Sequence, residues 1–163
     1  MVERIEPKAG QESVWDYPRP PRVELCTRHL RILYQDVSIA ETHQSLRVLE
    51  TSHPPSYYLP QSAIQMQYLT PNAYRTYCEF KGEAFYWDLH YEAQTIKNVA
   101  WMYPQPNKGY ETLKDHLAFY AHRVSACYVD GERVQAQAGD FYGGWVTSDI
   151  VGPFKGGAGT WGW

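Results

Sequence analysis

The chain has 163 residues, a formal net charge of −3 and 15% aromatic residues, with 14 tyrosines and 6 tryptophans. Its length fits a single domain, and its 15 basic residues are scattered and outnumbered by 18 acidic ones, which argues against a nucleic-acid-binding surface. No apolar run reaches membrane-spanning length, and the polar first 20 residues do not resemble a signal peptide. We therefore expect a cytoplasmic protein that binds neither nucleic acid nor membrane.

The three cysteines, Cys26, Cys78 and Cys127, form no C-x-x-C pair. An odd number of cysteines without such pairs predicts neither a disulfide framework nor a tetrahedral zinc site. We expect free thiols in a reducing compartment, and we predict no metal and no other cofactor.

Residues 1–28 are predicted to form an extended N-terminal arm. The stretch from Trp15 to Arg22 is rich in proline, which lacks a backbone donor for a sheet and keeps the preceding residue out of a helix. We expect Trp15 and Tyr17 to pin this arm to the domain. Residues 29–163 are then expected to form one domain, which ends in an aromatic and glycine-rich segment from Gly139 to Trp163.

Short segments rich in β-branched and aromatic residues follow the arm, which is the pattern of strands. Turns are predicted at Gln35-Asp36, Lys81-Gly82 and Asp130-Gly131, the last because Asp-Gly suits the positive φ angles of a type I′ hairpin. The predicted strands are 31–35, 37–42, 46–50, 57–59, 74–80, 83–91, 99–103, 116–120, 126–129 and 132–135.

Two segments, 61–69 and 107–115, each follow a proline and are predicted to be short helices. Long helices do not alternate with the strands, which argues against a parallel, doubly wound sheet. The sequence therefore favours a mainly β fold, as a mostly antiparallel sandwich or open barrel. Edge strands of such sheets can pair between two copies, which leaves a homodimer open.

Several short motifs stand in a specific order and spacing along the chain. They are Arg47-Val-Leu-Glu-Thr51, Tyr57-Tyr-Leu-Pro60, Cys78-Glu-Phe-Lys-Gly82, Tyr86-Trp87, Ala100-Trp-Met-Tyr-Pro104, Ala118-Phe-Tyr120, Tyr128-Val-Asp-Gly-Glu132 and Phe141-Tyr-Gly-Gly-Trp145. From about Val37 to Gly159 the chain resembles the domain of unknown function 427 family. The proline-rich arm and the long aromatic C-terminus look like the versions found in cyanobacteria.

The resemblance implies a β-tent, in which two antiparallel sheets meet at an angle, here with one or two short helices. Characterised tents usually hold a structural zinc through two C-x-x-C pairs, and the absence of both pairs leads us to expect no zinc site. The family has no settled activity, although one label suggests nucleotidyl transfer. That reaction normally needs clustered acids for Mg²⁺, whereas the aspartates of this chain stand apart.

The interleaved glycines and aromatics near the C-terminus indicate a wall built around a space. We hypothesise that this space is an aromatic cleft for a small planar or anionic ligand. Basic side chains would pair with the charge of the ligand, and aromatic rings would stack on it. The candidate ligand-binding residues are Arg47, Tyr58, Lys81, Trp87, Trp101, Tyr103, Trp145 and Lys155.

Other roles stay open for the charged candidates. For Arg47, an ordinary salt bridge to another strand is favoured about two to one over binding of a ligand. Lys81 could instead lie at a solvated hairpin tip. Lys155 could belong to a flexible tail pinned by Trp161 and Trp163. Alternation also allows only one of each adjacent pair of aromatics to face a cleft.

Two other functions remain open. An enzyme acting on a small molecule would use Lys81 or Cys78 as the reactive group, with Tyr103 or Asp130 assisting proton transfer. Free cysteines are more often inert core residues, and the sequence places no histidine beside Cys78. A protein-interaction module would instead expose apolar residues of the arm or the tail.

Overall fold

The computed structural model describes residues 2–163, and within that range the chain forms short strands and single-turn 3₁₀ helices. The strands are β1 (Glu12–Ser13), β2 (Arg22–Cys26), β3 (Leu30–Tyr34), β4 (Val37–Thr42), β5 (Ser45–Leu49), β6 (Ser56–Pro60), β7 (Leu69–Cys78), β8 (Gly82–Tyr91), β9 (Gln94–Met102), β10 (His116–Phe119), β11 (Ala126–Val129), β12 (Glu132–Arg133), β13 (Gln135–Ala136), β14 (Trp145–Val146) and β15 (Ile150–Val151). The 3₁₀ helices are Val14–Asp16, Gln61–Ala63, Met66–Tyr68, Glu111–Leu113 and Ala121–Arg123.

Two antiparallel sheets form the body of the protein. One has seven strands in the order β2-β5-β6-β10-β9-β8-β7, and the other has four in the order β12-β11-β3-β4. Two small ribbons are separate from these sheets: β1 pairs in parallel with β15 and so joins the N-terminal segment to the C-terminal one, and β13 pairs antiparallel with β14. The expected mainly β fold with two antiparallel sheets is therefore confirmed. Strands β2 and β7 are the edges of the larger sheet, and a homodimer through either edge stays a prediction.

Two of the three predicted turns are confirmed in place. Asp130 and Gly131, with φ angles of 49° and 81°, join β11 to β12, and Gln35, with φ of 50°, opens the turn between β3 and β4. The third turn is displaced, because Gly82 pairs with Cys78 as the first residue of β8. The tip of the β7–β8 hairpin is therefore 79–81.

The segments predicted to be short helices contain only 3₁₀ turns. In the first, Ile64 is extended and bridges Ala40 of β4, which interrupts any helix. In the second, helical structure is limited to Glu111–Leu113, and Asp115 has a φ angle of 63°. A helix of so few residues has little stability of its own, so the pairing and packing of the neighbouring strands decide the conformation of both segments.

Part of the expected arm belongs to the larger sheet. Strand β2 pairs with β5 along its whole length, from Arg22 opposite Leu49 to Cys26 opposite Ser45. Closer to the N-terminus, Tyr17 is buried in a small cluster with Val14, Leu49 and Ile150. The Trp15 indole donates to the carbonyl of Pro153 at 2.9 Å, so the arm is bound to the C-terminal segment.

The central strands of the seven-stranded sheet bury side chains on both faces. One face packs against the four-stranded sheet and forms the first core, which includes Leu30, Ile32, Leu59, Leu89, Val99, Leu117, Phe119, Cys127 and Val129. The opposite face carries the second core, which includes Leu46, Val48, Tyr58, Tyr86, Trp101, Tyr103, Leu113, Ala118 and Tyr120. Neighbouring residues alternate between the two cores, as the period of two in a strand requires. Among residues 2–163, no helix is long and apolar enough to cross a membrane.

We predict that Leu117→Ala lowers the free energy of unfolding by about 2–5 kcal/mol, because Leu117 is fully buried in the first core and its loss leaves a cavity. The matched control is Leu25→Ala, which removes the same atoms from an edge-strand residue that is 83% exposed, and it should change stability by no more than about 0.5 kcal/mol. Urea unfolding of both variants measures the difference. Equal losses would contradict this assignment of the core.

Candidate functional site

A cleft of about 450 Å³ lies over the second core, on the face of the seven-stranded sheet that does not contact the four-stranded sheet. Its volume is in the range of small-molecule sites. The floor is aromatic, one wall is the tip of the β7–β8 hairpin, and the other is the C-terminal segment. The residues that shape it include Glu50, His53, Tyr58, Cys78, Glu79, Lys81, Tyr86, Trp101, Tyr103, Tyr120, Gln137, Phe141, Tyr142, Gly143 and Lys155.

Alternation on two strands builds the floor. Trp101 and Tyr103 are two residues apart on the β9 end, so both point into the second core. The Trp101 indole donates to the Tyr58 hydroxyl at 3.1 Å, and the Trp101 ring packs 4.7 Å from that of Tyr120. Burial raises the pKa of Tyr58 and of Tyr103, so both phenols stay neutral. The floor is therefore rigid, apolar and uncharged.

The C-terminal wall depends on close contact with this floor. A Cβ at Gly143 would overlap the Trp101 ring, so only glycine lets the backbone approach this closely. The Tyr120 hydroxyl donates to the carbonyl of Phe141 at 2.8 Å, and the Gln137 amide donates to the carbonyl of Lys155 at 2.6 Å. The glycine and aromatic pattern of the sequence thus serves to seat this wall.

Lys81 reaches the cleft from the hairpin tip. The backbone of that tip is held by Asn107, whose N–H donates to the Lys81 carbonyl at 2.9 Å and whose side chain donates to the Phe80 carbonyl at 3.2 Å. The Lys81 ammonium lies 5.6 Å from the centre of the Tyr103 ring, within cation–π range. The fold therefore fixes this charge above the floor.

Lys155 brings a second ammonium from the opposite wall. Its N–H donates to the carbonyl of Ser52 at 2.8 Å, and its Nζ lies 5.2 Å from the centre of the Tyr142 ring. Among residues 2–163, neither Lys81 nor Lys155 has a carboxylate within 4.0 Å. Arg19 and Arg47, by contrast, are both paired with glutamates.

The charged state of Lys81 is favoured despite its depth. The residue as a whole is half-buried, but its ammonium lies deep among protein atoms. Burial lowers the pKa of Lys81, but the surrounding groups, among them the Glu50 carboxylate, outweigh that effect and the net direction is upward. Lys81 is therefore a fixed cation rather than a base.

His53 is a neutral polar group at the mouth of the cleft. Its side chain is 14% exposed, and its ring packs edge-on against Tyr142 at 4.9 Å. Burial, assisted by the charges of Lys155, Arg19 and Lys81, lowers the pKa of His53 to about 3. Its Nε2 is 3.7 Å from the Glu50 carboxylate, beyond hydrogen-bonding distance, and that carboxylate is bound by Arg19 at 3.1 Å.

Six of the predicted site residues share this cleft. They belong to separate stretches of the sequence, and the fold brings them together from β6, the β7–β8 hairpin, the end of β9 and the C-terminal segment. They are Tyr58, Cys78, Lys81, Trp101, Tyr103 and Lys155.

Three other candidate ligand-binding residues lie outside it. Arg47 alternates with two residues of the second core, so it faces the other side of the sheet, where it binds Glu24 and Glu12 at 2.5 Å each; the salt-bridge alternative is confirmed. Trp145 is 1% exposed in the first core, and its indole donates to the Phe119 carbonyl at 2.9 Å.

Trp87 also packs against the first core. Its neighbour Tyr86 faces the cleft, and adjacent residues of a strand point to opposite faces of the sheet. Asp130, considered for proton transfer, lies at the β11–β12 turn away from the cleft, where it accepts from Arg28 at 2.8 Å. Cys127 is buried, and burial raises the pKa of its thiol.

The structure adds residues that sequence reasoning left out. Tyr120 and Gln137 support the C-terminal wall, and His53 lines the cleft. The Tyr142 ring, which packs against His53, and the charge of Lys155, which lowers its pKa, both come from far along the chain. No local sequence pattern therefore marks His53. No group of three or more His, Cys, Asp or Glu side chains in residues 2–163 is placed to hold a metal ion.

We predict that Gly143→Ala lowers the free energy of unfolding by about 1–3 kcal/mol, because the added methyl overlaps the Trp101 ring. The near-ultraviolet circular dichroism of the tryptophans should change with it. The matched control is Gly157→Ala, whose Cβ would meet its nearest neighbour at 3.9 Å and should be tolerated. An unchanged spectrum and stability for Gly143→Ala would contradict the proposed seating of the wall.

We predict that His53 makes the protein less stable in acid. Its imidazole binds a proton at about pH 6.5 when unfolded but only near pH 3 when folded, so its contribution is complete above pH 6.5 and is lost as the pH falls towards 3. Between pH 7 and pH 5 the wild type should lose about 2 kcal/mol more than His53→Gln. Urea unfolding at both pH values measures this, with His90→Gln at an exposed position as the control. Parallel losses in wild type and His53→Gln would show that His53 is not buried as described.

Comparison with known proteins identifies the family of the chain. The family model described as Domain of unknown function (DUF427) matches residues 22–130, which span β2 to β11 and include Tyr58, Lys81 and Trp101. The match ends before the C-terminal wall that carries Lys155. No curated protein shows significant similarity to the chain. Since the family model covers more than half of its residues, the chain belongs to the DUF427 family.

Proposed function

We propose that this protein binds a small organic anion with a planar ring system in the cleft over the second core. The observation that carries the proposal is the pair of ammonium groups, Lys81 and Lys155, which stand above an aromatic floor without a carboxylate partner among residues 2–163. Burying a charge is costly unless it is paired, and a bound anion would supply that pair.

The floor suits the ring of such a ligand. Tyr58, Trp101 and Tyr103 are each less than 7% exposed and are locked by mutual packing and hydrogen bonds. Rigid aromatic surface lets a planar ligand stack with little loss of side-chain entropy.

The charges that line the cleft leave a positive surplus inside it. Glu50 is neutralised by Arg19, and Glu79 is exposed at the hairpin tip. Neither of these two acidic residues is therefore available as a buried partner for Lys81 or Lys155. This balance favours an anion over a neutral or cationic ligand.

Chemistry on the bound ligand is the second candidate function, through Cys78. Cys78 lines the same cleft as Lys81, whereas Cys26 and Cys127 are buried elsewhere. A free thiol that lines a ligand cleft is a candidate nucleophile. All three cysteines are free, and we place the protein in the cytoplasm, where thiols stay reduced. Cys78→Ala would abolish turnover but leave binding intact if this second function holds.

We expect 1-naphthyl sulfate, a planar monoanion, to bind the protein more tightly than neutral 1-naphthol in isothermal titration calorimetry. Lys81→Met should weaken binding of the sulfate by about tenfold or more, since it removes a charged donor. The matched control, Lys114→Met, alters an exposed lysine outside the cleft and should bind like the wild type.

The two buried indoles locate the site within the same sample. The Trp101 N–H lies in the floor, whereas the Trp145 N–H lies in the first core. Nuclear magnetic resonance should therefore show a shift of the Trp101 signal on addition of 1-naphthyl sulfate, with the Trp145 signal little changed. Absence of binding, or equal affinity for the neutral probe, would refute the proposed function.

A further inference from the structure

We infer that the anionic group of the ligand carries two negative charges on one centre, as in a phosphate monoester of a planar ring compound. This inference rests on the proposed function and specifies the ligand class of the same cleft.

The two lysines line one cleft of about 450 Å³. Lys155 lies over Tyr142, and the Tyr142 ring packs against His53 at 4.9 Å. Lys81, His53 and Glu50 line the same cleft, and the Glu50 carboxylate is 3.7 Å from His53 Nε2. His53 feels the positive charge of both lysines. One anion beside His53 is therefore within reach of both charges.

Charge balance then selects a dianion. Arg19 binds Glu50, and among residues 2–163 neither cleft lysine has a carboxylate within 4.0 Å, so two ammonium groups in the cleft lack an ion-pair partner. A monoanion would leave one half-buried ammonium without a partner, which is unfavourable. A phosphate monoester carries about −1.5 to −2 charge at neutral pH, which matches both lysines.

The hydrogen-bonding groups fit the same class. His53 makes no hydrogen bond through its ring to any residue in the range 2–163, and a neutral imidazole has one N–H to donate. Two ammonium groups and one N–H can satisfy the three terminal oxygens of a phosphate monoester. The Tyr58 hydroxyl accepts a hydrogen bond from Trp101 within the aromatic floor, whereas the two lysines belong to the hairpin tip and the C-terminal segment.

The test compares 1-naphthyl phosphate with 1-naphthyl sulfate, which have the same ring and nearly the same shape but differ by about one charge near pH 7.5. Calorimetric titration should give an affinity about tenfold or more higher for the phosphate. Lys81→Met and Lys155→Met should each remove most of this preference. Lys114→Met, at an exposed position outside the cleft, should keep it.

Each other outcome identifies what fails. Equal affinity for the two probes, or a preference that survives loss of either lysine, overturns the dianion inference and leaves the proposed function standing. Failure of both probes to bind refutes the proposed function itself. Unfolding curves of the two variants check that each is folded, and Lys81→Arg, which keeps the charge, should retain the phosphate preference if charge is the cause.

Discussion

Burial on both faces of the seven-stranded sheet is the constraint from which the rest of the structure follows. Where strands β6, β8, β9 and β10 cross the centre of the sheet, successive side chains alternate between the two cores. Both faces are buried there, so segments such as 99–102 of β9 and 117–119 of β10 are continuously apolar. The four-stranded sheet covers only one face. The other face must be covered by the hairpin tip and by the C-terminal segment, and these irregular elements leave a cleft between them.

The same constraint explains why the cleft is aromatic and why its charges come from its edges. Side chains on the middle of the sheet face a packed layer, so Tyr58 and Trp101 are held by neighbours and contribute a fixed surface. Lys81 and Lys155 belong to loops, where long side chains can fold inward over the rings. Apolar floor and charged rim thus arise from different parts of the fold. This division suits a ligand with one planar and one anionic end.

The parts of this account that were local in sequence could be predicted. The Asp130-Gly131 turn follows from the φ angles that its residues tolerate, and the shared face of Trp101 and Tyr103 follows from strand periodicity. Periodicity also says that Tyr86 and Trp87 face opposite ways. It cannot say which of them faces the cleft, because that choice depends on which face of the sheet is covered.

The parts that depend on distant segments could not be predicted. Arg47 binds Glu12 and Glu24, and β2 joins the sheet although it belongs to a stretch that looked like an arm. Trp145 lies beside cleft residues in sequence, yet a hydrogen bond to Phe119 turns it into the core. In each case the partner comes from a distant part of the chain, and a single sequence does not show which distant segments lie close together in the fold.

The central claim is that the ammonium groups of Lys81 and Lys155 face one ligand-binding cleft. Reductive methylation with ¹³C-formaldehyde keeps the charge of each lysine and gives each a resolved methyl signal, which Lys→Met variants assign. On titration with 1-naphthyl sulfate, the signals of Lys81 and Lys155 should both move with the same concentration dependence, while that of Lys114 stays in place. Movement of Lys114 with Lys81 and Lys155 unchanged would contradict the account.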